Sequence, residues 1–153
     1  MKIKVLIGVV LCSFVLCGYG EAKTSKKQPA ADKSKAEKPA AASISWVNTL
    51  AEGLALAQSS KKPVMADFYA VWCGWCKKLD KDVYTDPEVA ALSKQFVCVK
   101  VDTDKYGQES SKYGVQGLPT IIFMNPDGSV IDKVVGYSPA PSFAGSMKKA
   151  LKK

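Results

Sequence analysis

The apolar run Val64-Met65-Ala66-Asp67-Phe68-Tyr69 leads into Trp72-Cys73-Gly74-Trp75-Cys76 and then into the helix-prone Lys77-Lys78-Leu79-Asp80-Lys81-Asp82-Val83. This order, strand then paired cysteines then helix, constrains the chain more than any other feature. Two cysteines three apart at a helix start can close a small disulfide ring and reopen it. The first thiol lies over the helix's unpaired N–H groups and the positive end of its dipole, which favours thiolate. A thiolate is the species that attacks disulfides, and the second cysteine lies within reach to release the mixed disulfide that forms. The near-continuous apolar character of the preceding strand predicts burial on both its faces.

Around this unit the sequence reads as alternating elements. Trp46, Val47, Leu50, Leu54 and Ala57 fall at helical spacing and predict a helix through Ser59, capped by Ser43 or Ser45 and broken by Lys61-Lys62-Pro63. After the helix from Cys73 to about Val83, Asp86-Pro87 opens a second short helix, with Asp as cap and Pro at the first position. Phe96 to Val101 reads as a strand, and Gln108 to Tyr113 as a short helix ending at Gly114. Thr120 to Met124 and Val130 to Val135 flank the turn Asn125-Pro126-Asp127-Gly128 as an antiparallel hairpin, and Ser142 to Leu151 is a final helix. The expected class is α/β, with a central mixed β-sheet flanked by helices on both faces.

The first 42 residues have a different character. Lys2 and Lys4 precede an apolar run from Val5 to Leu16, followed by Gly18-Tyr19-Gly20-Glu21-Ala22, the layout of a secretory signal. The run is short of the ~20 apolar residues a spanning helix needs. Residues 1–20 are therefore expected to be a signal peptide, with a retained anchor as the alternative and acylation at Cys12 or Cys17 disfavoured by the leucines before them. Residues 21–42 are rich in Lys, Ala and Pro and lack aromatics, the composition of a disordered linker. Residues 43–153 remain for one folded domain, a normal size for a single core. Expected localisation is periplasmic or secreted, with membrane contact only through the N-terminal segment.

Composition narrows the chemistry. Lys23, Lys26, Lys27, Lys33, Lys35 and Lys38 supply much of the formal +8 charge, so the folded part is only mildly basic. No aromatics interleave with these lysines, so nucleic-acid binding is unsupported; a solvated linker is favoured over attachment to an anionic surface. The chain has no histidine, which removes Cys-His and Ser-His nucleophile pairs and the usual mixed zinc sites. A CxxC can be half of a zinc site, yet only Cys98 remains in the folded part. A c-type haem site wants histidine where Lys77 stands. No metal is expected, and no cofactor beyond the cysteine pair itself.

Three segments carry a family resemblance. Asp67-Phe68-Tyr69-Ala70-Val71-Trp72-Cys73-Gly74-Trp75-Cys76-Lys77 resembles a thioredoxin active site, and Tyr113-Gly114-Val115-Gln116-Gly117-Leu118-Pro119-Thr120 resembles the thioredoxin segment whose proline is cis. Val135-Gly136 falls where a thioredoxin carries a glycine beside the same site. An ordinary thioredoxin has proline where this chain has Trp75 and a kinking proline where it has Lys81. The helix through Val89 is instead similar to the C-terminal periplasmic domain of DsbD-type thiol–disulfide interchange proteins and to small secreted thioredoxin-like proteins. The resemblance implies a thioredoxin fold over residues 43–153 and a thiol–disulfide oxidoreductase, leaning toward reductase. It also implies a cis Leu118–Pro119 bond and contact with protein substrates by Trp72, Gly74, Trp75, Leu118, Pro119, Thr120 and Gly136. The expected partners are protein thiols or disulfides and a membrane or soluble electron donor, with the domain itself a monomer.

The site residues carry alternatives. Cys73 is the expected nucleophile and Cys76 the resolving thiol. Asp67 points inward by alternation; burial raises its proton affinity, which suits an acceptor for Cys76, although a structural pairing with Lys100 reads equally well from sequence. Asp80 shares a helix face with Cys76, four residues on, where an acid would raise the thiol pKa; an ordinary solvated charge is the other reading. Trp72 reads either as contact surface or as packed against its own domain. Cys98, in a β-branched run, reads as a buried, inert thiol. The competing functions are a disulfide oxidase or isomerase of the same fold, and a non-catalytic binding module whose CxxC is a static disulfide.

Overall fold

The computed structural model describes residues 43–153. The signal-like and linker segments, 1–20 and 21–42, lie outside the described residues. Five strands, β1 (Trp46–Val47), β2 (Val64–Tyr69), β3 (Val97–Asp102), β4 (Thr120–Met124) and β5 (Val130–Val135), form one sheet in the order β1-β3-β2-β4-β5. The first three in that order run parallel, β4 runs antiparallel to β2, and β5 pairs antiparallel with β4. The helices are α1 (Leu50–Ser60), α2 (Gly74–Asp82), α3 (Pro87–Ser93), α4 (Gly107–Lys112) and α5 (Ala140–Ala150). This is the mixed sheet with helices on both faces that the sequence predicts, and it is a thioredoxin fold.

Central β2 shows why both faces bury. Val64, Ala66 and Phe68 pack on the side of Leu50 and Ala57 from α1, whereas Met65 packs on the side of Leu79, Val89, Phe143 and Met147 from α2, α3 and α5. Asp67 falls by alternation on the second side. Burying each large apolar chain contributes about 1.5–3 kcal/mol before entropy is counted. On the first side α1 seats closely: a Cβ on Gly53 would lie 2.3 Å from Val99 Cγ2, so only glycine lets helix and strand approach this far.

One element differs from the sequence reading. Trp46 and Val47 belong to a short edge strand in register with Cys98 and Val99, and not to the first helix. That helix begins at Leu50, where the Thr49 hydroxyl accepts the Glu52 N–H at 3.3 Å. The apolar spacing was genuine, but an aromatic and a β-branched residue also fit the open edge of β3, and the cap decides where the helix starts. Among the described residues no helix is long and apolar enough to cross a membrane.

Candidate active site

The cysteine pair sits where β2 hands over to α2. Ala70 accepts the Cys73 N–H at 3.1 Å and turns the chain, leaving Cys73 in extended backbone as the N-cap of α2. Its Sγ accepts the Cys76 N–H at 3.1 Å, so the first sulfur is held at the helix's positive end. The two cysteines are joined as a disulfide, with Cα atoms 5.3 Å apart, and both are buried.

The two sulfurs border different spaces. Cys73 lies in an open groove of about 540 Å³ whose lining includes Trp72, Gly74, Trp75, Val115 and Leu118. Trp72 and Trp75 are 68% and 59% exposed, a large apolar surface beside the Cys73 sulfur. The Trp72 indole N–H donates to Asp104 Oδ2 at 3.0 Å, while Trp75 leans on Tyr137 with ring centroids 5.7 Å apart. Trp75 also separates the groove from a second hollow of about 330 Å³ that it shares with Leu118, Gly136 and Tyr137. Cys76 opens instead to a hollow of about 300 Å³ with Tyr69, Val71, Lys77 and Asp80.

Leu118–Pro119 is cis. Leu118 lines the groove, and Pro119 is buried with its carbonyl accepting the Gly136 N–H at 2.8 Å. Gly136 has φ 81°, which glycine adopts without a Cβ penalty, so this tie fixes the end of β5 against the proline turn. Thr120 departs from the sequence reading: its side chain is buried, and its hydroxyl donates to the Gly117 carbonyl at 2.7 Å. It braces the turn and does not line the groove.

Behind the disulfide lies a charged cluster. Asp67 is fully buried, beside Lys100 of β3 on one side and Ile121 of β4 on the other. Lys100 Nζ stands 2.7 Å from Asp67 Oδ2 and 2.5 Å from Asp80 Oδ1. The Asp67 contact is a pairing of charges, since among the described residues neither of its oxygens accepts an aligned hydrogen bond and the buried Tyr84 hydroxyl lacks one too. Burial raises the Asp67 carboxyl above its ordinary range, with the Lys100 charge opposing but not cancelling the shift. For Lys100, burial pulls the other way, and the two carboxylates outweigh it, so the ammonium is held protonated. Both readings of Asp67 are therefore present in one geometry: it is paired with Lys100, and it carries a raised proton affinity. Asp80 is likewise not a free charge but Lys100's second partner. Cys98 is buried, and burial pushes its thiol up to about 12, which keeps it protonated and unreactive.

Sequence reasoning missed Trp46, Tyr84 and Tyr137. Tyr84 had a usable signal, four residues beyond Asp80 on the continuation of α2. Trp46 and Tyr137 had none, because strand pairing and the turn after β5 bring them in.

Comparison with known proteins adds a lineage. The family model described as thioredoxin-like matches residues 45–126. The thiol:disulfide interchange protein DsbD of Vibrio vulnificus is 42% identical over 103 residues, covering 63% of this chain and 17% of that protein, so the chain spans about a sixth of that relative's length. The thioredoxin of Mycoplasmoides gallisepticum is 43% identical over 81 residues, covering 53% of this chain and 77% of that one. Among solved structures, a Thermus thermophilus thioredoxin superposes with TM-score 0.65 at 28% identity, over 71% of this chain and 88% of that one. The DsbH oxidoreductase superposes with TM-score 0.67 at 22% identity, over 81% and 95%, and speaks for the fold alone.

Proposed function

Because the chain belongs to the thioredoxin-like family, we propose that it is an exported thiol–disulfide oxidoreductase that reduces disulfides of other exported proteins. The family's chemistry runs on the cysteine pair and needs no cofactor. The observation that carries the reading is Cys73 at the head of α2, in an apolar groove beside Leu118.

In the reduced protein the Cys73 thiolate attacks a substrate disulfide. A Cys73–substrate disulfide forms and one substrate sulfur leaves as thiolate. Cys76 gives its proton to Asp67 and attacks the Cys73 sulfur, re-forming the Cys73–Cys76 bond and releasing the second substrate thiolate. The substrate gains two electrons, the pair loses two, and a membrane or soluble thiol donor must restore them. Among the described residues the backbone N–H and C=O of Leu118 have no hydrogen-bond partner, which suits pairing with an extended substrate segment. The reductive direction rests on the likeness to DsbD, and export to the periplasm or beyond rests on the N-terminal signal-like segment.

The test is the reduction potential of the pair in the full-length chain, equilibrated against glutathione and dithiothreitol buffers. A value near or below about −270 mV is expected of a reductant, whereas one near about −120 mV would make the protein a disulfide donor or isomerase. A pair that never equilibrates with either buffer would leave a structural disulfide and sink the enzyme reading.

A further inference from the structure

The Lys100 ammonium lies at a junction that the disulfide chemistry above does not use. Three rings surround it, Trp46, Tyr69 and Tyr84, with centroids 5.0, 4.9 and 5.1 Å from Nζ. With Asp67 and Asp80 they leave the lysine little room to swing or hydrate. Trp46 comes from β1, whose pairing in register with Cys98 puts its ring on the side of β3 that carries both Cys98 and Lys100. Asp80 borders two hollows, one shared with Cys76 and one of about 390 Å³ over Lys100, framed by Trp46, Tyr84 and Thr85. Neither shares a residue with the groove over Cys73. Asp80 is about half exposed, Lys100 is mostly covered and Asp67 is fully so.

We propose that Trp46 is a positioning residue that acts through Lys100: it boxes the ammonium between Asp67 and Asp80, and so sets the proton affinity of the acid behind the disulfide. A substrate lying over Cys73 leaves the hollow over Lys100 and Asp80 uncovered, so the charge that tunes Asp67 is in place whether or not the groove is filled. The charged or titratable groups facing Asp67 are Lys100 from β3, Asp80 from α2 and the Tyr84 hydroxyl from the segment after α2, joined in the reduced protein by the Cys76 thiol of α2; β4 pairs Ile121 with it. Of these, Lys100 alone favours the carboxylate by charge, so loosening it makes Asp67 hold its proton more tightly. A cation over desolvated aromatic faces is worth enough to matter on this scale.

The inference rests on Asp67 accepting the Cys76 proton, and the experiment separates the two. In the full-length chain, Asp67 is titrated by carboxyl carbon NMR and the resolving step is timed against pH, in wild type, Lys100→Met, Trp46→Leu and Trp46→Phe. Lys100→Met is expected to raise the proton affinity of Asp67 about tenfold or more. Trp46→Leu, which keeps the site apolar but removes the ring face, raises it about two- to fivefold. Trp46→Phe returns most of the way, and the pH midpoint of the resolving step moves in parallel. A folded Trp46→Leu protein with a wild-type Asp67 titration overturns the proposal. If Trp46→Leu fails to fold, Trp46→Phe carries the test, a small rise supporting the box and no rise overturning it. Should Asp67 respond while the resolving step ignores it, the box stands and the acceptor role of Asp67 falls.

Discussion

The two cysteines are three residues apart and bonded to each other, yet their surroundings are opposites. In front of Cys73 lie exposed tryptophans, Leu118 and an open groove. Behind Cys76 lie a half-exposed aspartate, a caged lysine and a carboxyl group with no exposure at all. One side offers a surface that suits contact with another protein, where aromatic rings give affinity with few rotatable bonds to freeze. The other is built to hold charge and a proton away from water, where a small displacement changes an acidity by large factors. Substitutions in front should therefore change how well substrates are used, and those behind should change how the rate depends on pH.

The sharpest break comes from the sulfurs themselves. Cys73→Ser should reduce disulfide exchange to background. Cys76→Ser should retain the first attack and accumulate a covalent Cys73–substrate adduct, visible by mass spectrometry and released by dithiothreitol. Were the adduct to form on Cys76 in Cys73→Ser instead, front and back would have been assigned in reverse.

Asp67→Asn should come next in size. Loss of the acceptor slows the resolving step by about 10²-fold, the usual scale of general-base catalysis, and flattens its dependence on pH. In the wild type that step should speed up as pH rises through the raised Asp67 pKa, because only the carboxylate accepts a proton. The same shift has a stability consequence of definite sign. A folded-state pKa raised above the ordinary 3.8 contributes stability that is fully present below that value and lost as pH rises through the folded pKa. Asp67→Asn, neutral throughout, should therefore melt higher than wild type at neutral pH, with the advantage shrinking on acidification. Equal melting temperatures across that range would show that Lys100 already compensates the buried charge in full.

How much of this was legible in the sequence divides along the same line. The CxxC, its strand and helix, the cis proline and the hairpin could be read because each rests on local signals or on the family pattern. Asp67 and Lys100 could be paired on paper because their two strands were expected to be neighbours. The box around Lys100 could not be read. Trp46 sits at spacing that also suits a helix, and only the open edge of β3 recruits it into the sheet. Thr120 went wrong for a related reason: a residue beside a functional turn looks like a contact, whereas its hydroxyl is spent on the Gly117 carbonyl. Contacts made across elements leave no periodicity behind.

In front, Trp75→Ala should lower kcat/KM for protein disulfides by about tenfold, as removal of an exposed aromatic anchor does, while the resolving step keeps its pH midpoint. A shift in that midpoint would mean that the groove and the charged cluster are not separable, and the comparison would fail. Tyr137→Ala should give a weaker version of the same effect, because the Trp75 ring would lose its prop but not its surface.

The smallest effect should come from Asp104, and it decides what Trp72 is for. The indole edge is pinned to Asp104 while most of the ring remains in solvent, so its face is presented to the groove and its rotamer is fixed from outside. An exposed hydrogen bond of this kind contributes about 0.5–1.5 kcal/mol at most, and part of that is recovered by water. Asp104→Ala should then cost a protein substrate roughly threefold in kcat/KM, the scale such a bond allows, and leave a small disulfide such as oxidised glutathione untouched. Equal losses for both substrates would place Trp72 in the scaffold around Cys73 and take it out of the contact surface. No loss for either would mean that the ring finds its place unaided, with its polar edge kept only to satisfy one N–H.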